Sequence, residues 1–156
     1  MAYYSSKNYF PEQSVGYLIK RNMRFCLEAL GPELAAEGIT FTQWQALISV
    51  HLQRATTGAE LAQDLAHDKG ATTRLIDLLQ DKGWLTRQRD ENDRRNIKLA
   101  ITTAGEEVAH RARLRVIACW NTWLADWEPA DVTTLIGLLQ RLEARLADVA
   151  SRPVAE

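Results

Sequence analysis

The stretch RQRDENDRRNIK, residues 87–98, places five cations (Arg87, Arg89, Arg94, Arg95 and Lys98) in a chain of 156 residues whose formal charge is −1. Guanidinium and ammonium groups neutralise phosphates, and a guanidinium can also bridge guanine O6 and N7. Upstream, Lys69, Gly70, Ala71, Thr73 and Arg74 combine two cations with side chains small enough for a backbone to approach a base closely. From Lys69 to Lys98 there are eight cations and five acids. Salt-sensitive binding to a polyanion is therefore expected from this segment, although the whole chain is nearly neutral. Catalytic chemistry finds little footing. There is no glycine-rich phosphate loop, no HExxH, no GxSxG and no pair of acids in an apolar frame. Neither catalytic residues nor a cofactor are expected.

The spacing of apolar residues predicts the elements that carry these groups. Val15, Leu18, Ile19, Cys26, Ala29 and Leu30 share one helical face over about residues 12–37, with a bend expected near Gly31-Pro32 and a stop at Gly38. Thr40 and Gln43 are spaced as a capping box, flanked by Ile39 and Trp44 as a hydrophobic staple, and open a helix over 41–54. Thr57 and Glu60 form a second box, opening the short helix GAELAQDLA. After a tight break at His67-Asp68-Lys69-Gly70 the spacing predicts a helix over 70–82, ended by Gly83, with Thr72, Leu75, Ile76 and Leu79 inward. That leaves Lys69, Gly70, Ala71, Thr73 and Arg74 exposed at its N-terminal end, the end with which a recognition helix enters the major groove.

The period then changes. WLTRQR and IKLAI read as two strands around the turn-rich Asp90-Glu-Asn-Asp93. A helix-turn-helix followed directly by a hairpin is a winged helix, a more specific pattern than either half. Thr103 and Glu106 mark a third box, and Val108, Ala112, Val116, Trp120, Trp123 and Trp127 follow at helical spacing. In the last helix Val132, Leu135, Leu139, Leu142, Leu146 and Val149 alternate steps of three and four, a heptad seam that requires a partner helix. The predicted architecture is mainly α with a small β-hairpin wing. It comprises a winged helix-turn-helix over 39–101, a helical dimerisation region from 1–38 and 102–150, and a flexible tail over 151–156.

An apolar fraction of 46% suits a packed core. No apolar run approaches the ~20 residues of a membrane-spanning helix, and MAYYSSKNYF lacks the charged and apolar regions of a signal peptide. A cytoplasmic protein with no membrane contact is expected. Cys26 and Cys119 lie in helix-patterned segments without CxxC spacing and read as reduced packing residues.

The segments ELAQDL, TTRLIDLLQDKGWLTR and RDENDRRNIKLAITTAG resemble the MarR family of winged-helix transcription regulators. The similarity runs over about residues 15–150 and is densest from Glu60 to Gly105. The resemblance implies a homodimer with intertwined first and last helices on a pseudo-palindromic operator. It implies a ligand-responsive regulator, a repressor, released from double-stranded DNA by a small aromatic effector. By resemblance Arg95 reaches into the minor groove and Asp93 is the acid that holds it. Arg87, Arg89, Arg94 and Lys98 are expected at phosphates or paired with Asp90 and Glu91. Leu78 departs from relatives that carry a basic or polar side chain there, and Asp77 and Asp81 make that half of the helix a poor DNA surface. Affinity should therefore lean on the wing. Arg74 could instead be a solvated residue paired with Asp77 or Asp81. The rival reading of the whole chain is a winged-helix protein-interaction module without DNA binding, which has no need of an Arg-Arg tip.

Tyr17 and Arg21 share a face of the first helix, and Trp44 and His51 share one on the second. Together they could line an aromatic cleft with a cationic anchor for a carboxylate effector; ordinary core and surface positions serve as well. Peroxide-sensing relatives carry a cysteine near the start of the first helix, and Cys26 lies much further along. Glu106, Glu107 and His110 cluster as in metal-sensing relatives, but His51 is remote in sequence, so no metal is expected.

Overall fold

The computed structural model describes residues 2–89, 97–150 and 152. Helix α1, Val15–Ala36, begins at the cap Ser14, whose hydroxyl accepts from the Tyr17 N–H at 3.4 Å. The Tyr4 hydroxyl adds a second cap, accepting from the Val15 N–H at 3.0 Å. Because these donors are satisfied only there, the helix starts three residues beyond the expected Glu12, and Pro11–Gln13 form a single 3-10 turn. Helix α1 continues through Gly31-Pro32.

Both expected capping boxes form, Thr40–Gln43 opening α2, Phe41–His51, and Thr57–Glu60 opening α3, Gly58–Asp64. Helix α4, Lys69–Asp81, starts one residue early because Asp68 is its cap and no longer part of a free turn: its carboxylate accepts from the Ala71 N–H at 2.8 Å. After α1 and α4 the chain leaves through left-handed Gly38 and Gly83, each in a double-bonded helix stop. After α2 and α3 the same turn is made by Gln53 and Ala66, which ends both helices earlier than the apolar spacing suggests.

Strand β1, Leu85–Arg89, pairs antiparallel with β2, Ile97–Ile101, in a register running from Leu85↔Ile101 to Arg89↔Ile97. The outer side of β2 meets the segment before α3: Thr57 bridges Lys98, and the Leu99 N–H donates to the Thr56 carbonyl at 2.8 Å. Helix α5, Thr103–Trp123, and helix α6, Pro129–Ala150, complete the order. Among the described residues no helix is long and apolar enough to cross a membrane.

Two compact units divide at Ile117 and Ala118. The first has its core in Leu30, Leu34, Leu47, Leu61, Leu79, Leu85 and Ala112, all within 1% of complete burial. In the early turns of α1 Val15, Leu18 and Ile19 are 39–47% exposed, and burial along the helix is confined to Leu30 and Leu34. In the second unit Trp120 and Trp123 meet edge-to-face at 5.1 Å, while α6 has no buried residue.

One junction closes the hairpin. The Trp84 carbonyl accepts from the Thr102 N–H at 3.0 Å, and the Thr102 hydroxyl donates to the Gly83 carbonyl at 2.6 Å. The same hydroxyl accepts from the Gly105 N–H at 3.0 Å and so caps α5. The expected Thr103–Glu106 box is therefore displaced by one residue, and its third helical position is Gly105, which has no side chain to reciprocate. A Cβ on Gly105 would lie 2.2 Å from the Trp84 carbonyl oxygen. Gly105→Ala should lower the unfolding free energy by about 3 kcal/mol in denaturant titration; a loss near zero would show that the junction yields.

At the end of α1, Glu37 accepts from Arg111 Nε at 3.1 Å and from Arg115 Nε at 2.9 Å. Hydrogen bonding from Arg115, opposed by partial burial and reinforced by Arg111, holds its carboxyl below the usual glutamate range. A depressed pKa contributes stability that is present above the unfolded value and lost as pH falls through the folded one. The Tm of the native chain should thus exceed that of Glu37→Gln at neutral pH, and the gap should close as pH falls through and below the ordinary glutamate range. A gap independent of pH would remove this role from the carboxylate.

Candidate nucleic-acid interface

The apolar stripe of α4 turns Thr72, Ile76 and Leu79 into the core and leaves Leu75 half-buried. On the other side Lys69, Gly70, Thr73 and Arg74 are exposed, with Ala71 half-buried. The Thr73 hydroxyl donates back to the Lys69 carbonyl at 2.9 Å. Asp68 organises this end. The Ala71 N–H foremost, opposed by partial desolvation and aided by the Gly70 N–H and the nearby Arg74 charge, keeps its carboxyl below the usual aspartate range. Leu78 is 42% exposed on the same helix.

The side chain of Arg87, expected at a phosphate or paired with Asp90 and Glu91, is directed to α4. Arg87 lies two residues beyond the buried Leu85, on the same face of β1. Nη2 is 2.7 Å from Asp77 Oδ1, and Nη1 donates to Gln80 Oε1. Asp77, one of the two partners expected for Arg74 in the solvated reading, is thus engaged from the hairpin. Arg89 closes β1 opposite Ile97, and exposed Lys98 stands opposite Gln88. Asp93, Arg94 and Arg95 lie outside the described residues. Lys82 is not part of this face: Nζ donates to the Gly38 carbonyl at 3.2 Å and sits 4.3 Å over the Trp84 ring.

Residues 39–97 match the model of the MarR family. The multiple antibiotic resistance protein MarR of Escherichia coli (strain K12) is 34% identical over 82 residues, 53% of this chain and 57% of that protein. The chain spans about half the length of the curated relatives it matches. A solved structure of the multiple antibiotic resistance repressor MarR superposes with a TM-score of 0.71 at 31% identity, covering 83% of this chain and 94% of that one. The chain belongs to the MarR family. A mutant MarR from E. coli solved in complex with operator DNA superposes with a TM-score of 0.72 at 29% identity, over 82% of this chain and 92% of that one.

The four residues expected to gather around an effector are divided in this MarR-family chain. Tyr17 and Arg21 line a shallow groove on α1 with Lys20 and Arg24. Trp44 lies half-buried against α5, its Nε1 donating to the Ala109 carbonyl at 3.3 Å. His51 belongs to a separate cleft of about 220 Å³ between α2 and α5, lined by Ile48, His51, Glu106, Ala109, His110 and Arg113. Nδ1 of His51 is 3.5 Å from Glu106 Oε1. Separation in sequence hides this meeting, and Arg113 was legible only as a residue one turn beyond Ala109 and His110. Among the described residues no three His, Cys, Asp or Glu side chains are placed to hold a metal ion. Cys26 and Cys119 are both half-buried.

Asp68→Ala should leave the Ala71 donor without its partner and fray the first turn of α4. Amide hydrogen exchange should accelerate at residues 70–72 and stay slow at Leu79. Equal acceleration along the helix would mean that Asp68 is not a local cap.

Proposed function

We propose that this chain is a ligand-responsive transcriptional repressor that binds a pseudo-palindromic operator as a homodimer. The observation that carries the reading is the N-terminal face of α4, small and cationic at Lys69, Gly70, Thr73 and Arg74, beside the base of a hairpin that leads to Arg94 and Arg95. Such a face suits the major groove, where Arg74 can bridge guanine O6 and N7. Arg95 is the wing residue for the minor groove, braced by Asp93, with Arg89, Arg94 and Lys98 at phosphates. Relatives named as repressors, and one solved with operator DNA, support this assignment.

Homodimerisation is supported by the uncovered apolar positions of α6: Leu135, Leu139, Leu146 and Val149 are 39–58% exposed, with Val132 and Leu142 half-buried. A heptad seam of this length has its apolar side chains in water until a partner helix covers them. The effector reading moves from the four residues of the sequence pattern to the cleft at His51. Its ~220 Å³ falls below the roughly 300 Å³ at which drug-sized pockets begin, which suits a single-ring aromatic acid with its carboxylate at Arg113.

The test is selection from a random duplex pool followed by gel-shift titration. The expected result is a site with two-fold symmetry, bound more weakly as salt rises. Arg95→Ala should lose about 1–3 kcal/mol of binding. A thermal-shift screen of aromatic acids should find one that releases DNA from the native chain and fails with Arg113→Ala. No retention on random DNA at low salt would favour the protein-interaction reading.

A further inference from the structure

We infer that Asp77, Gln80 and Arg87 form a positioning latch that sets the wing's orientation against the recognition helix, so that Arg87 acts within the protein and not on phosphate. The inference rests on the DNA-binding reading above. Two features of the sequence look unfavourable in isolation: an acid, Asp77, on the exposed part of α4, and an arginine expected at a phosphate. The structure makes each the answer to the other.

The geometry is that of a fork. The two terminal nitrogens of Arg87 reach two residues three positions apart on α4, Nη2 to Asp77 Oδ1 at 2.7 Å and Nη1 to Gln80 Oε1. Residues at this spacing lie on one helix face, and a planar guanidinium engaging both fixes direction as well as distance. A lysine ammonium is a point charge on a flexible stem and lacks the planar fork. With the side chains of Arg87 and Asp77 33% and 52% exposed, the pair is too solvated to be a major source of stability. Geometry is therefore the better account of what it does.

Two consequences reach the interface. First, a protein that reads two grooves must hold its two readers at one separation, because site geometry tolerates only about 0.5 Å and 10–20° of error. The latch joins β1, two residues before the strand's end, to the helix that carries Arg74. Second, Arg87 neutralises Asp77, which would otherwise repel phosphates beside α4. Arg87 then releases no counterion when DNA binds.

The test measures binding of the full chain to its selected duplex and to random duplex over a range of salt. Arg87→Lys keeps the charge and removes the fork, and Asp77→Ala removes an acid from the DNA side. The latch predicts that each lowers the ratio of selected to random binding about ten-fold, with the salt slope for random duplex unchanged. It also predicts that Asp77→Ala/Arg87→Ala loses little more than either single alanine variant. A phosphate contact predicts the reverse: near-native binding for Arg87→Lys, tighter binding for Asp77→Ala, and a slope lower by about 0.9 for Arg87→Ala. That result would overturn the latch. Equal losses on both duplexes together with a large fall in Tm would also overturn it, by assigning the pair to the fold alone. If the unaltered chain binds neither duplex, the DNA reading itself fails and the latch with it.

Discussion

A single carbonyl, that of Trp84, organises the chain reversal on which the winged helix depends. It accepts from Thr102 where β2 ends, and it lies so close to Gly105 that no side chain fits between them. Thr102 simultaneously reaches Gly83 and caps α5. The exit from α4, the entry to β1, the exit from β2 and the start of α5 are thus joined within a few ångströms. The hairpin has no freedom at its base to drift from the helix that precedes it. The lateral bonds of β2 to Thr56 and Thr57 add a second attachment on the opposite side.

How much of this was legible in the sequence depended on whether the determining contact was local. Two capping boxes were legible because both members lie within four residues and the chemistry is reciprocal. The third was misread by one position, since Thr103 has Glu106 three residues on while the actual cap, Thr102, has only Gly105. What separates them is Gly83, nineteen residues away. Leucine and threonine spacing on α4 identified its inward face, while the starting point required recognising Asp68 as a cap. At Gln53 and Ala66 the left-handed stops carry no glycine to signal them. Val15, Leu18 and Ile19 share a face of early α1 that is not covered within its own unit, and apolar periodicity alone does not say what covers it.

The candidate site divides along the same line. Lys69, Gly70, Thr73 and Arg74 were readable as a surface because helical geometry determines exposure. The destination of Arg87 was not, because strand alternation gives a face but not the acid awaiting it. Charge counting treats Arg87 and Lys82 as part of a basic region, yet one is committed to Asp77 and Gln80 and the other to Gly38 and Trp84. The cations available to a polyanion are accordingly fewer than the composition of the segment suggests. His51 and Glu106 show the complementary failure: unremarkable where they stand in sequence, they meet only when α2 crosses α5.

The grip of Glu37 on α5 has a mechanical side. Its two oxygens hold Arg111 and Arg115, one helical turn apart. Sliding α5 by one turn, about 5.4 Å, would bring Glu107 into the place of Arg111 and set two carboxylates against each other; in the other direction Cys119 would take the place of Arg115. Either step forfeits an arginine. The contact therefore works as a vernier between α1 and α5, permitting tilt and resisting axial slip.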